Sequence, residues 1–224
     1  WELMEGNLVE KDSVLATQYF EQSVFHLRKK EKEGDAVAHN LLGLCYYRGY
    51  QVPKDTLKSF QYFKYAAEAG LPAGMRNLGL SYNWGHGIEK NEQEAIKWFE
   101  KAANIGAKNA MYDLGQVYEY GEQIETGSAA YLKWYRKAAE LGHAQSQWKM
   151  GNLYLNGRVL EKDYDEAVWW FRKAAENGDI SAMNDLGYMF DRGNGVKVNK
   201  QEAVKWYRMA AEKNSAVAQF NMGL

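Results

Sequence analysis

This chain of 224 residues has a single cysteine and almost no net charge, and each scarcity excludes something. Cys45 alone cannot form an internal disulfide, so the fold does not rest on a disulfide framework. A reducing compartment fits that usage, and so does a bacterial periplasm; between the two the localisation stays open. Lys and Arg number 28 against 29 Asp and Glu, and the two signs are interspersed. There is no basic stripe of the kind that phosphate neutralisation needs, which argues against a nucleic-acid partner. No stretch approaches the roughly 20 apolar residues of a membrane span. No Asn-x-Ser/Thr sequon occurs, which speaks against a eukaryotic secreted glycoprotein.

Chemistry is scarce too. The four histidines, His26, His39, His86 and His143, are scattered, and none forms His-x-x-x-His or pairs with Cys at zinc spacing. His86, between Gly85 and Gly87, reads as a solvated turn residue. The Gly-x-Gly-Val/Ile stretches resemble part of a phosphate loop, but no Gly-Lys-Ser/Thr follows them. Acidic pairs such as Glu92 and Glu94 are accounted for as helix-cap charges. With no nucleophile–base constellation, the sequence predicts no enzyme, no metal and no cofactor.

What the chain has in abundance is repetition. Leu42-Gly43, Leu78-Gly79, Leu114-Gly115, Met150-Gly151, Leu186-Gly187 and Met222-Gly223 recur every 36 residues without insertion or deletion. A fixed period of this size marks a solenoid, in which each unit buries its apolar face only against its neighbours. Full units run 35–70, 71–106, 107–142, 143–178 and 179–214, and a sixth begins at Ser215 (215–224).

Each unit reads as a helix hairpin, an A helix followed by a B helix. Gly34, Gly70, Gly106, Gly142, Gly178 and Asn214 close the B helices, since Gly and Asn tolerate the left-handed conformation of a helix end. Gly49, Gly85, Gly121, Gly157 and Gly193 mark the turn between A and B, and Asp55, Asn91, Asp163 and Asn199 supply N-caps for B. An aromatic pair then precedes an alanine pair, as in Trp98-Phe99 and Ala102-Ala103, at the spacing of one buried helical face. The mid-helix glycine of the Leu/Met-Gly pair costs about 1 kcal/mol against Ala. Its recurrence predicts that a neighbouring helix approaches closely there.

Residues 1–34 form a degenerate unit with an extended second helix. Gly6 to Asp12 matches Gly157 to Asp163, Tyr19-Phe20 matches Trp170-Phe171, and the end glycine, Gly34, arrives seven residues late, about two helical turns. Both termini fall inside a repeat, so the chain is expected to be a fragment. The unit 107–142 departs from its sisters over Gly121 to Ser128 and has Tyr131 where they have Ser59, Ala95, Ala167 and Ala203. Drift and a loop reshaped for a partner both account for this.

The pattern resembles the Sel1-like repeat family, relatives of the tetratricopeptide repeat. Residues 182–211 carry the motif nearly throughout, with Ala182, Leu186-Gly187, Gly193, Gly195-Val196, Asn199, Ala203, Trp206-Tyr207 and Ala210-Ala211. The resemblance covers essentially 1–224 and implies an all-α, right-handed α/α superhelix. It also implies a protein-binding scaffold or adaptor, with many bacterial members and no shared catalytic residues. The paired cysteines of secreted members are missing.

In such a fold the A helices line the concave face. The varying positions beside the Leu/Met-Gly pair bring together residue types that dominate interface hot spots. Arg76, Asn77, Trp84, Tyr112, Asp113, Tyr120, Trp148, Tyr188 and Arg192 are therefore the candidate partner-binding residues, and the partner is a protein or peptide. Some of these aromatics could instead fill gaps between adjacent A helices. Trp169, where sisters have Gln61, Lys97, Lys133 and Lys205, is placed on the outer side. The functional expectation is a non-catalytic scaffold, with a virulence-associated binder or immunity protein as possible forms. The alternative is a regulatory or structural module of a larger enzyme or envelope assembly.

Overall fold

In a computed structural model, the described residues are 13–122 and 128–222, with side chains described from residue 23 and, after the gap, from residue 129. The candidate features Gly6 to Asp12, Ile124 to Gly127 and Gly223, and the side chains of Tyr19 and Phe20, lie outside them. The described residues form twelve α-helices and no strand.

Two compact units divide the chain, Trp1–Ile105 and Gly106–Leu224. The first holds α1 (Ser13–Lys32), the A helices α2 (Ala36–Arg48) and α4 (Pro72–Trp84), and the B helices α3 (Thr56–Glu68) and α5 (Glu92–Asn104). The second holds the A helices α6 (Lys108–Tyr120), α8 (Ala144–Asn156), α10 (Ile180–Arg192) and α12 (Ala216–Met222). Its B helices are α7 (Ser128–Glu140), α9 (Tyr164–Glu176) and α11 (Lys200–Glu212). Every helix from α2 to α11 has 13 residues, whereas α1 has 20.

The hairpins are held by a recurring set of hydrogen bonds. Asp55, Asn91, Asp163 and Asn199 accept from the backbone N–H three residues on, capping α3, α5, α9 and α11. The backbone N–H of each cap residue donates to the carbonyl of an A-helix aromatic, Tyr46, Tyr82, Tyr154 or Phe190. The A helices have caps that the sequence reading did not assign: Asp35 for α2, Asp179 for α10 and the Nδ1 of His143 for α8. Gly121 marks the end of α6 but in another conformation. Its sisters Gly49, Gly85, Gly157 and Gly193 are left-handed, but Gly121 is extended at φ −61° and ψ 146°, so α6 ends differently.

Within each hairpin the mid-helix glycine makes room for an aromatic ring from its own B helix. A methyl group on Gly79 would lie 2.6 Å from the Phe99 ring, and one on Gly151 would lie 2.6 Å from Phe171. Gly43, Gly115 and Gly187 face Phe63, Tyr135 and Tyr207 in the same way. The close approach read from the sequence is thus the seating of the second ring of the aromatic pair. Between hairpins the approach is about as close: a methyl group on Gly74 would meet the Ala66–Ala67 backbone at 2.7 Å.

Gly87 combines both demands. Its φ is +76°, and a Cβ there would collide with the carbonyl of Thr56, at the start of the preceding B helix. Loop and preceding hairpin are thereby locked together within the first unit.

Candidate functional site

The nine sequence-designated residues lie on or near the A helices, and the structure sorts them by unit. In the first unit, Arg76, Asn77 and Trp84 line one cleft between α2 and α4, of about 420 Å³, together with Tyr47, Arg48 and His86. Leu44, Phe63 and Leu80 complete its apolar lining. Trp84 ends α4 and is 66% exposed, which is high for the largest apolar side chain. His86 corrects the sequence reading. It lies in the turn after α4 as read, but it is half-buried rather than solvated, with its ring 5.1 Å from that of Tyr47, and it lines the cleft. Tyr47 was missed because it does not stand out within the repeat, and His86 was read only as a turn residue; the loop after Gly85 brings the two rings together.

A rung of hydrogen bonds crosses between neighbouring A helices. Asn77 Nδ2 donates to Asn40 Oδ1 at 2.8 Å. In the second unit Trp148 Nε1 donates to Asp185 Oδ2 at 2.7 Å, and Asn221 Nδ2 donates to Asn184 Oδ1 at 2.9 Å. In each of these three rungs a residue i of one varying series bonds residue i+37 of the other.

This gives several candidates a structural duty. Trp148 is half-buried and tied to Asp185. Tyr112 is half-buried, its ring 5.7 Å from Tyr135 and 4.8 Å from His143. These two fill space between helices, the second of the roles open to them from sequence. Asp113 is only 4% exposed, so its carboxylate is not presented to a partner. Tyr120 remains 62% exposed, although its hydroxyl accepts from Lys149 Nζ at 2.8 Å. Tyr188 and Arg192 sit together near the end of α10, with the guanidinium 5.7 Å from the ring centroid. Trp169 on α9 is exposed, with Lys173 Nζ 3.8 Å from its ring centroid.

Around Lys149 in the second unit the charges are satisfied within the chain. Lys149 Nζ bridges Glu119 Oε2 at 3.0 Å and the Tyr120 hydroxyl, while the Tyr135 hydroxyl donates to the same Glu119 oxygen. Burial works to lower the pKa of Lys149, but the Tyr120 and Glu119 contacts outweigh it and hold the ammonium above its ordinary value. Burial, then Glu119, push Tyr135 well above the usual phenol range. Burial raises Asp185, and the Trp148 N–H offsets part of that.

Among the described residues no group of three or more His, Cys, Asp or Glu is placed to hold a metal ion. No described helix is long and apolar enough to cross a membrane. Cys45 is buried, and burial raises its thiol pKa, which suits packing rather than reactivity.

The Sel1 repeat profile matches residues 1–24, 36–71, 72–106, 108–143, 144–179 and 180–215, so the chain belongs to the Sel1 repeat family. Among solved structures it is similar to a Sel1 repeat protein from Oxalobacter formigenes, at 33% identity and a TM-score of 0.84, over 91% of this chain and 59% of that one. It is also similar to c5321, a protective antigen of uropathogenic Escherichia coli displaying an SLR fold, at 35% identity and a TM-score of 0.78, over 89% of this chain and 43% of that one. This chain therefore spans less than two thirds of the length of either relative. Immunity protein PA5088 of Pseudomonas aeruginosa shares the fold at 18% identity and a TM-score of 0.66, over 96% of this chain and 79% of that one. No curated protein matches the chain significantly. Proteins built of Sel1 repeats generally mediate protein–protein interaction and are generally non-catalytic.

Proposed function

We propose that the chain is a non-catalytic adaptor that holds a protein or peptide on the exposed face of its A helices, with Trp84 as the principal anchor. The observation that supports this best is the α2/α4 cleft, which gathers Trp84, Tyr47, Arg48 and Arg76 around an apolar floor. Tyr, Trp and Arg in a concave, partly apolar site are the composition of an interface centre. The second unit carries exposed Tyr120 and Arg192 at the ends of α6 and α10, with exposed Tyr188 one turn before Arg192. A virulence-associated binder and an immunity protein are two forms that such an adaptor takes. The absence of a nucleic-acid partner belongs to the same reading and rests on the balanced charge.

The experiment is affinity measurement with a partner protein identified by cross-linking. Trp84→Ala is expected to weaken binding by about 2 kcal/mol or more, with the melting temperature unchanged because the side chain is exposed. Trp169→Ala, on a B helix, is expected to bind as wild type. The opposite result would place the partner on the B-helix side.

A second reading, a module of a larger assembly, is favoured by one observation: the two relatives at 33% and 35% identity extend well beyond the matched length. A catalytic or anchoring domain in the full gene product would support it.

A further inference from the structure

The α2/α4 cleft has a chemistry of its own. Neither α2, with the sequence AVAHNLLGLCYYR, nor α4, with PAGMRNLGLSYNW, contains an acidic residue. Arg48 and Arg76 are the charged side chains lining the cleft, and no carboxylate lines it. Both guanidinium groups hold other contacts as well, among them Arg48 Nη1 to the Tyr50 hydroxyl at 3.4 Å. A guanidinium carries five N–H donors and can serve more than one acceptor at once. Asn77 spends one amide hydrogen on Asn40, which leaves its carbonyl oxygen to accept a peptide N–H. The volume, about 420 Å³, is at the small end for ligand sites and suits one or two side chains rather than a folded surface.

We propose that the α2/α4 cleft binds an acidic peptide segment, with an aromatic side chain seated against Trp84 and the apolar floor and a flanking carboxylate on Arg48 and Arg76. This rests on the adaptor reading and makes it specific. Electrostatic complementarity discriminates against the wrong partner, here a basic segment, more than it adds raw affinity. The planar guanidinium matches a carboxylate in bidentate geometry, and the indole provides a large apolar contact.

The test uses three synthetic, end-blocked hexapeptides of sequence Ser-Glu-Phe-Glu-Gly-Ser, Ser-Lys-Phe-Lys-Gly-Ser and Ser-Glu-Ala-Glu-Gly-Ser. Each is titrated into the ¹⁵N-labelled chain while the indole N–H signals are followed, the Trp84 signal being assigned with Trp84→Phe. The first peptide is expected to shift the Trp84 indole and to bind at least tenfold more tightly than the other two. Arg48→Glu, at unchanged melting temperature, is expected to reverse the order of the first two. About 0.5 M salt should remove most of the difference between them, because the Debye length is then a few ångströms. Equal binding of the acidic and basic peptides, with Trp84 shifting in both, would overturn the charge selectivity and leave the adaptor reading intact. No Trp84 shift with any peptide at millimolar concentration would overturn the proposal. The adaptor reading stands or falls separately, on the affinity of Trp84→Ala for a whole partner protein.

Discussion

The gap between α2 and α4 and the gap between α6 and α8 are built from the same repeat positions and end in opposite states. In the first, Tyr47 and Arg48 face Asn77 and Trp84 across an open cleft. In the second, the corresponding residues are Glu119, Tyr120 and Lys149, and these bond to one another at 2.8 to 3.3 Å. One gap stays open as a cleft, whereas the other is bridged by its own polar groups. A single backbone period thus carries both a closed, self-complementary surface and an open one, and a few side chains at fixed places decide which.

The core beneath that face is common to both regions, which gives the largest expected effect. Gly79→Val would drive a branched side chain into Phe99, and Gly115→Val would do the same at Tyr135. Overpacking of this kind costs about 3 kcal/mol, and both variants should show it in chemical denaturation. If Gly115→Val melts within a degree of wild type, the glycines have no packing role and the common-core half of the comparison fails.

Next in size is the self-pairing of the second region. Lys149→Met leaves the partly buried Glu119 carboxylate without its cation and should cost about 2 kcal/mol. Arg48→Met, at the equivalent edge of the open cleft, should leave the melting temperature within error because the side chain is exposed. Equal losses at the two sites would erase the distinction.

The same cluster predicts an alkaline limb. Lys149 and Tyr135 both have folded pKa values raised above the ordinary 10.5 and 10.0. Stability that depends on the protonated forms is complete below about pH 10 and is lost as the pH rises through the raised folded values. Wild type should therefore lose more stability than Lys149→Met between pH 10 and 11.5 in equilibrium unfolding. Identical slopes would mean that Lys149 does not sense its partners.

The smallest effect concerns the rung at Trp148. Burial raises the pKa of Asp185, so the ionised carboxylate carries a cost at neutral pH. Asp185→Asn keeps an acceptor for the indole and removes that cost. Its stability should match or slightly exceed wild type, while Asp185→Leu should lose about 1 kcal/mol by orphaning the Trp148 N–H.

The hairpins were legible in the sequence because their signals are local. A cap such as Asn91, an end glycine such as Gly70 and the Trp98-Phe99, Ala102-Ala103 stripe each act within a few residues. The need for small residues at Gly43 or Gly79 was also legible, though the ring that demands it was not, since that pairing spans two helices. The i to i+37 rungs were hidden for a different reason. They depend on how far one A helix is displaced along its neighbour, and no single helix encodes that offset. For the same reason Asp113 read as a surface residue although it is buried, and the turn residue His86 read as solvated although it is half-buried in a cleft wall. Gly121 shows the converse: the residue persists while the left-handed turn of its sisters does not.

The most direct measurement is site-specific photo-cross-linking in the native cell, with a photoreactive phenylalanine placed in turn at positions 84, 120 and 169. The account predicts a discrete cross-linked partner from position 84, a weaker one or none from position 120, and none from position 169. A partner captured at position 169 but not at position 84 would contradict it.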